Sequence, residues 1–95
     1  MKFIVTEHAK FELDRRGIHE DVVKNTINQP QQIISTGKSR SILQSKYYDS
    51  TIKKEMLLRI IGKKINSKFI VITAYKTSKI KKYWVTGGKQ NEGNI

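Results

Sequence analysis

The 95-residue chain has no cysteine, a single proline and no long apolar run. Without cysteine, it can form neither disulfides nor thiolate zinc sites. No stretch approaches the roughly 18–20 apolar residues that a membrane-spanning helix needs. The opening residues also lack the apolar segment of a secretory signal, because Glu7 and His8 interrupt it. We therefore expect a cytoplasmic protein without a membrane partner.

Acidic residues are scarce. The chain has 19 Lys and Arg against 8 Asp and Glu, for a net charge of +11. Basic and acidic residues balance over residues 1–36, so the whole excess lies in residues 37–95. A basic half indicates a polyanionic partner, which could be nucleic acid, an acidic protein or an anionic membrane. Nucleic acid is favoured because bases stack on aromatic rings, and the same half carries Tyr47, Tyr48, Tyr75, Tyr83 and Trp84.

The amino-terminal third has helix signals. A short strand over residues 2–5 leads to Thr6, a good N-cap residue, and the helix that follows is ended by Gly17. A second helix is predicted over residues 20–28, where Pro30 prevents its continuation. Length and composition predict one domain over residues 1–85. The polar, glycine-rich residues 86–95 are predicted to be a flexible tail.

After the proline the apolar period changes to that of strands. Strands are predicted over residues 33–34, 41–48, 55–61 and 69–75. The sequence therefore predicts an α+β fold with a short N-terminal strand and two helices packed on a four-stranded antiparallel sheet.

Alternation along the last two strands predicts which side chains face the helices. The purely apolar positions are Met56, Leu58 and Ile60 on one strand and Ile70, Ile72 and Ala74 on the next. This assignment leaves Arg59, Thr73 and Tyr75 together on the open face of the sheet.

The last strand leaves the sheet into a segment of cations and rings, which is typical of a surface that binds phosphates and bases. The alternative is a solvated basic turn whose two rings seal the edge of the core. On the first interpretation, the nucleic-acid-binding residues are Arg59, Thr73, Thr77, Lys79 and Trp84.

The first helix carries a polar stripe of His8, Glu12 and Arg16 opposite its solvent-facing residues Lys10 and Asp14. The stripe could be an (i, i+4) ladder that fixes the end of the helix. It could instead place His8 and Arg16 on one wall of an anion site, with Glu12 orienting them. Both interpretations stay open from the sequence.

These motifs resemble a family of uncharacterised small bacterial and phage-encoded proteins. The shared features are His8-Ala9, then Arg16-Gly17-Ile18, and a final Thr73-x-Tyr75 followed by Lys79 and Tyr83-Trp84. That family is similar in layout to the RelE/ParE-like toxins, within the class that includes barnase-like ribonucleases. The resemblance spans roughly residues 3–84, and it implies this fold and a toxin-like role. Glu12 and His19 stand where the family pattern has Arg and Ser or Thr.

The residue types suit metal-free cleavage of RNA, in which the ribose 2′-OH attacks its own phosphate. His8 and His19 are far apart and the carboxylates scattered, so we expect neither a metal site nor a cofactor. His8 is the acid–base candidate, with Tyr75 or Tyr83 as proton donor. Cations would stabilise the phosphorane. The predicted catalytic residues are His8, Arg16, Tyr75, Lys82 and Tyr83.

Three functional hypotheses follow. The first is a ribonuclease toxin that acts on free or ribosome-associated RNA and is neutralised by an acidic antitoxin protein. The second is a non-catalytic RNA- or DNA-binding module of the same fold. The third is a protein whose basic face serves only to bind an acidic partner.

Overall fold

The computed structural model describes residues 2–86. Its elements are β1 (Lys2–Val5), α1 (Glu7–Arg15), α2 (Glu20–Asn28), β2 (Gln32–Gly37), β3 (Arg40–Asp49), β4 (Lys54–Ile65), β5 (Lys68–Thr77) and α3 (Ile80–Tyr83). Except for Thr86, the predicted tail lies outside the described residues, and the single-domain extent stays a prediction. Within residues 2–86, no helix is both long and apolar enough to cross a membrane.

The five strands form one sheet in the order β1-β5-β4-β3-β2. Strands β2 to β5 pair antiparallel, whereas β1 pairs parallel with β5. The predicted α+β class is confirmed. Two details differ from the prediction: β1 joins the sheet as a fifth strand, and the short helix α3 follows β5. A helix of four residues is too short to have a periodic apolar pattern.

Helix α1 begins and ends with local bonds that its sequence dictates. The Thr6 hydroxyl accepts from the Ala9 N–H at 3.1 Å and donates to the Val71 carbonyl of β5 at 3.2 Å. At the other end, the Ile18 N–H donates to the Leu13 carbonyl at 2.9 Å. Gly17 takes the left-handed conformation (φ 65°) that this turn requires. The cap and the turn fix α1 along β5.

The core lies between the helices and one face of the sheet. Its buried members are Ala9, Leu13, Ile18, Val23, Ile27, Leu43, Leu58, Ile60, Phe69, Val71 and Ala74. The predicted burial of Leu58 and Ile60 under the helices is confirmed. We call this side of the sheet the helix face and the other side the outer face.

The predicted inward placement of Ile70 and Ile72 is wrong. Ile61 of β4 lies opposite Thr73, but its neighbour Gly62 lies opposite Val71, so Ile72 is an extra residue on β5. Such a bulge reverses the alternation of side chains on either side of it. Phe69 and Val71 therefore join Ala74 in the core, and Ile70 and Ile72 are only partly buried.

Gly62 is fitted to the Phe69 side chain. A Cβ at position 62 would lie 2.6 Å from the Phe69 Cζ atom and would also collide with the Ile70 carbonyl oxygen. The Phe69 ring therefore packs directly against the backbone of β4 at Gly62, where there is no room for a side chain.

One buried ion pair joins three separate segments. The Asp49 carboxylate, in a residue only 5% exposed, accepts from Lys76 Nζ at 2.8 Å and from the Thr51 N–H at 3.0 Å. Lys76 also donates to the Gly17 carbonyl at 3.2 Å. The hydrogen bond from Lys76 holds the pKa of Asp49 below its usual range. Burial, with the charge of Asp49, raises the pKa of Tyr47 to about 12.

We predict that Asp49→Asn destabilises the protein near neutral pH and has less effect in acid. The folded-state pKa of Asp49 lies below its unfolded value of about 3.9. The stabilisation is therefore present above that value and is lost as pH falls through the folded pKa. Urea unfolding at about pH 7 and about pH 3 measures the difference between wild type and variant.

Asp14→Asn is the matched control, because Asp14 is exposed on α1 and forms no salt bridge with any residue in the described range 2–86. A difference between wild type and Asp49→Asn that stays constant across this pH range would contradict the assignment.

Candidate nucleic-acid interface

A row of polar side chains crosses the outer face. Gln32 of β2, Gln44 of β3, Arg59 of β4 and Tyr75 of β5 are successive cross-strand neighbours. Gln44 is 0% exposed and Arg59 is 4% exposed. Because side chains alternate along a strand, this row points away from the apolar core under α1 and α2.

Hydrogen bonds connect the members of this row from one strand to the next. The Gln44 amide nitrogen donates to Gln32 Oε1 at 2.7 Å. Arg59 Nε donates to Gln44 Oε1 at 2.8 Å, and Arg59 Nη1 donates to the Tyr75 hydroxyl at 2.6 Å. The register of four strands thus determines the position of one guanidinium group.

Helix α3 and the two residues after it cover the row. The Gln44 amide nitrogen donates to the Tyr83 carbonyl at 3.1 Å. Gln32 binds both backbone groups of Val85: its Nε2 donates to the carbonyl at 2.6 Å, and its Oε1 accepts from the N–H at 3.1 Å. Two glutamine side chains therefore hold the backbone of residues 83–85 against the sheet.

The Arg59 guanidinium is packed between aromatic rings. Its central carbon lies 4.3 Å from the centroid of the Tyr83 ring and 5.8 Å from that of Tyr75. These two rings meet edge to face at 6.3 Å. Both contacts are within the range in which a ring attracts a cation.

Arg59 has no acidic partner within the described part of the chain. The salt bridges found there join Glu12 to Arg15 and Arg16, and Asp49 to Lys76. A guanidinium has five N–H donors, and Arg59 uses only its Nε and Nη1 groups in the side-chain hydrogen bonds seen over residues 2–86. A buried cation without a carboxylate is costly to maintain. It therefore marks a place where an anion is favoured.

Lysines surround α3 and the two residues that follow it. An open groove of about 590 Å³ beside α3 is lined by Lys46, Glu55, Ser78, Lys79, Ile80, Lys81 and Lys82. Lys46 Nζ lies 4.0 Å from the centroid of the Trp84 ring, and Lys82 Nζ lies 5.3 Å from that of Tyr83. The groove thus combines four cations with one carboxylate, and two of those cations lie over aromatic rings.

The placement of the predicted binding residues is partly as expected. Arg59, Thr73 and Tyr75 do share the outer face, but that face is not open, because α3 covers Arg59 and buries it. Thr73 lies opposite Ile61, one row away from Arg59. Thr77 Oγ1 accepts from the Lys79 N–H at 3.0 Å and shapes the turn before α3.

The polar stripe of α1 is a structural feature of the helix end. Glu12 pairs with Arg15 at 2.6 Å and with Arg16 at 3.0 Å. The hydrogen bond from Arg15 is the largest of the effects that hold the pKa of Glu12 below its usual range. Arg16 Nη1 also donates to the Ala74 carbonyl of β5 at 2.7 Å. Glu12 and Arg16 therefore pair as in the ladder interpretation, with Arg15 as a member that the sequence analysis missed, whereas His8 forms none of the salt bridges found among residues 2–86.

The structure does not bring His8 to the other predicted catalytic residues. His8 is exposed on α1, close to the point where Thr6 contacts Val71. Tyr75 is four residues further along β5, roughly 13 Å away along the strand, and its ring lies on the outer face. Tyr75, Lys82 and Tyr83 do come together around Arg59.

Arg16 occupies an intermediate position. Strand β1 pairs with β5 only as far as Val71, so the edge of β5 beyond that point has no strand partner. Arg16 bonds to this edge at Ala74, the residue before Tyr75. It is the one predicted catalytic residue of α1 that reaches the neighbourhood of the polar row.

Sequence reasoning missed Gln32 and Gln44. A glutamine beside apolar strand residues, such as Gln44 after Ile42 and Leu43, indicates a buried polar partner. Which residue that partner is can be told only once the strand register is known. Within residues 2–86, no group of three His, Asp or Glu side chains lies close enough to hold a metal ion.

Residues 5–76 match the family described as "Domain of unknown function (DUF4258)", and the chain belongs to that family. Membership of an uncharacterised domain family is thus confirmed, whereas a likeness to RelE/ParE-like toxins stays a prediction. No curated protein and no solved structure matches the chain.

We predict that Gln44→Leu lowers the free energy of unfolding by about 2–3 kcal/mol, because it leaves buried hydrogen-bonding groups of Arg59 and Tyr83 without partners. Urea unfolding measures the loss. Gln29→Leu is the matched control at an exposed position and should change stability by less than about 0.5 kcal/mol. Equal losses in the two variants would show that the polar row is not a buried network.

Proposed function

We propose that this member of the DUF4258 family binds single-stranded RNA through the surface around α3. We call this the α3 surface and define it by Lys46, Lys79, Lys81, Lys82, Tyr83 and Trp84. The observation that carries the proposal is the buried Arg59 guanidinium, which has no acidic partner among the described residues and lies directly beneath this surface.

The charge of the α3 surface favours a polyanion over a single small anion. Its four lysines line one continuous groove that contains only the carboxylate of Glu55. Phosphate groups repeated along a strand would bind these cations and release their counterions, which is the main source of affinity for nucleic acid.

An exposed aromatic ring close to the lysines supplies a contact for bases. The Tyr48 side chain lies on the outer face opposite Glu55, and the residue is 65% exposed. One exposed ring beside a row of cations is the arrangement on which unpaired bases stack. RNA is the expected ligand because the layout of the chain resembles that of RelE/ParE-like toxins, within a fold class that includes barnase-like ribonucleases. An acidic antitoxin protein would compete for the same surface.

We predict that Lys79→Gln and Lys82→Gln each weaken RNA binding and reduce the salt dependence of the affinity. Each lost phosphate contact lowers the slope of log K against log salt by about 0.7 for a single strand. Fluorescence anisotropy with a labelled single-stranded RNA at several salt concentrations measures both quantities, with DNA of the same sequence as a comparison.

Lys24→Gln is the control, since Lys24 is exposed on α2, away from the α3 surface. If Lys24→Gln reduces affinity and slope as much as the two α3 variants, binding follows net charge alone and the proposed surface is wrong.

Metal-independent cleavage of RNA is the second candidate function. The specific observation in its favour is the Tyr75 hydroxyl, held 2.6 Å from Arg59 Nη1. In this reaction the 2′-hydroxyl loses its proton to solvent as its oxygen attacks phosphorus, and the bond to the 5′-oxygen breaks, leaving a 2′,3′-cyclic phosphate and a 5′-hydroxyl. Tyr75, held in place by Arg59, would protonate the departing 5′-oxygen, while Lys82 would stabilise the charged phosphorane.

We predict that any cleavage measured in EDTA, with or without translating ribosomes, is lost in Tyr75→Phe and kept in His8→Ala. The reason is that Tyr75 lies with Lys82 and Tyr83 around Arg59, whereas His8 lies on the other side of the sheet. RNA binding and thermal unfolding of each variant show whether the protein is still folded and able to bind.

Loss of cleavage in a folded His8→Ala variant that still binds RNA would overturn this assignment. Salt-sensitive binding without cleavage in either condition would leave the binding function alone.

A further inference from the structure

A second set of cations lies on the outer face, at the end of the sheet remote from α3. Arg40 of β3 lies directly opposite Lys63 of β4, and Lys2 of β1 lies directly opposite Lys68 of β5. Alternation places all four on the outer face. We call these four residues the paired-cation end.

No acidic residue lies in the described segments that carry this charge. The segments that form this end of the sheet, residues 2–5, 35–43 and 61–71, contain no Asp or Glu and add the cations Lys38 and Lys64. None of the salt bridges found among residues 2–86 involves them. Like charges directly opposite each other in a sheet destabilise the pairing, and within residues 2–86 no ion pair compensates this repulsion.

Protection of a sheet edge does not account for the arrangement. Lysines on edge strands discourage pairing with other chains, and this explains Lys2, because β1 is an edge strand. Arg40 and Lys63, however, lie on β3 and β4, which are both interior strands of the sheet. Their opposition has no role in edge protection.

We propose that the paired-cation end is a second phosphate-binding surface, along which an RNA strand bound at the α3 surface continues. This inference rests on the proposed RNA binding. Both surfaces lie on the outer face, and Arg59 and Lys63 are four residues apart on β4, roughly 13 Å. One single strand of modest length can therefore contact both.

The arrangement has two consequences that oppose each other. Removing charge from the Arg40–Lys63 pair relieves the repulsion and stabilises the fold. The same change removes two phosphate contacts and weakens RNA binding. A purely structural surface would show the first effect without the second.

The test compares Arg40→Gln/Lys63→Gln with the control Lys10→Gln/Lys24→Gln, which removes the same charge from exposed positions on α1 and α2. Binding is measured by anisotropy with single-stranded RNAs of about 4 and about 12 nucleotides. Thermal unfolding is followed in parallel.

For the Arg40/Lys63 variant we expect about tenfold weaker binding of the longer RNA at about 0.1 M salt, and a salt slope lower by about 1.4. The short RNA, held at the α3 surface, should bind almost as tightly as it does to the wild type. The melting temperature should rise in the Arg40/Lys63 variant but not in the control.

Several outcomes would overturn the inference. Equal loss of affinity in the control and the Arg40/Lys63 variant shows a general charge effect. If Lys79→Gln and Lys82→Gln weaken binding but the Arg40/Lys63 variant does not, only this inference fails. If the wild type binds no RNA, both the proposed function and this inference fail. Lost binding to phosphatidylserine vesicles with unchanged RNA binding would assign this end to a membrane surface instead.

Discussion

The Arg59 side chain is bonded on two sides, to Gln44 and to Tyr75, and the outer face of the sheet is arranged around these two bonds. A guanidinium that is 4% exposed has lost nearly all its water. Hydrogen-bond acceptors and an aromatic ring take the place of that water around the charge. The ring belongs to Tyr83, so α3 must lie on the sheet. Gln32 and Gln44 keep it there through backbone bonds. The outer face thus becomes a second, polar interior, and its cover presents the lysines of the α3 surface.

The two faces of the sheet differ in how far their charged side chains are paired. On the helix face, an apolar core, the cap at Thr6 and the ion pair between Asp49 and Lys76 fix the helices, and Glu12 and Arg16 pair with each other within the protein. Arg16 belongs to this face, where Glu12 and the edge of β5 use its donors. On the outer face the cations have almost no carboxylate partners within residues 2–86. Unsatisfied charge, more than any single residue type, therefore distinguishes the candidate site from the scaffold.

Local signals were enough to predict α1 and α2. Thr6, Gly17 and Pro30 act within a few residues of themselves, so the bounds of α1 and α2 follow from the sequence. The faces of β5 could not be predicted in the same way, because the extra residue Ile72 is apolar like its neighbours and reverses the alternation without a local mark. The burial of Arg59 also could not be predicted, since it depends on the register of four strands and on a helix of four residues. The grouping of Arg59 with Tyr75 was predictable because both lie on the same side of that bulge.

The family match ends at residue 76, and this boundary separates the polar row from its cover. All four members of the row lie within the matched domain, whereas α3, with its lysines and Tyr83, lies beyond it. The row is therefore part of the domain itself, and the following segment determines how much of Arg59 is accessible. Folded proteins of this size have little stability to spare. A chain that keeps both a buried unpaired cation and the opposed charges of Arg40 and Lys63 gives up some of that stability. The polyanion proposed to bind along the outer face would offset the repulsion between Arg40 and Lys63 and would lie close to Arg59, so one extended ligand accounts for both features of the charge distribution.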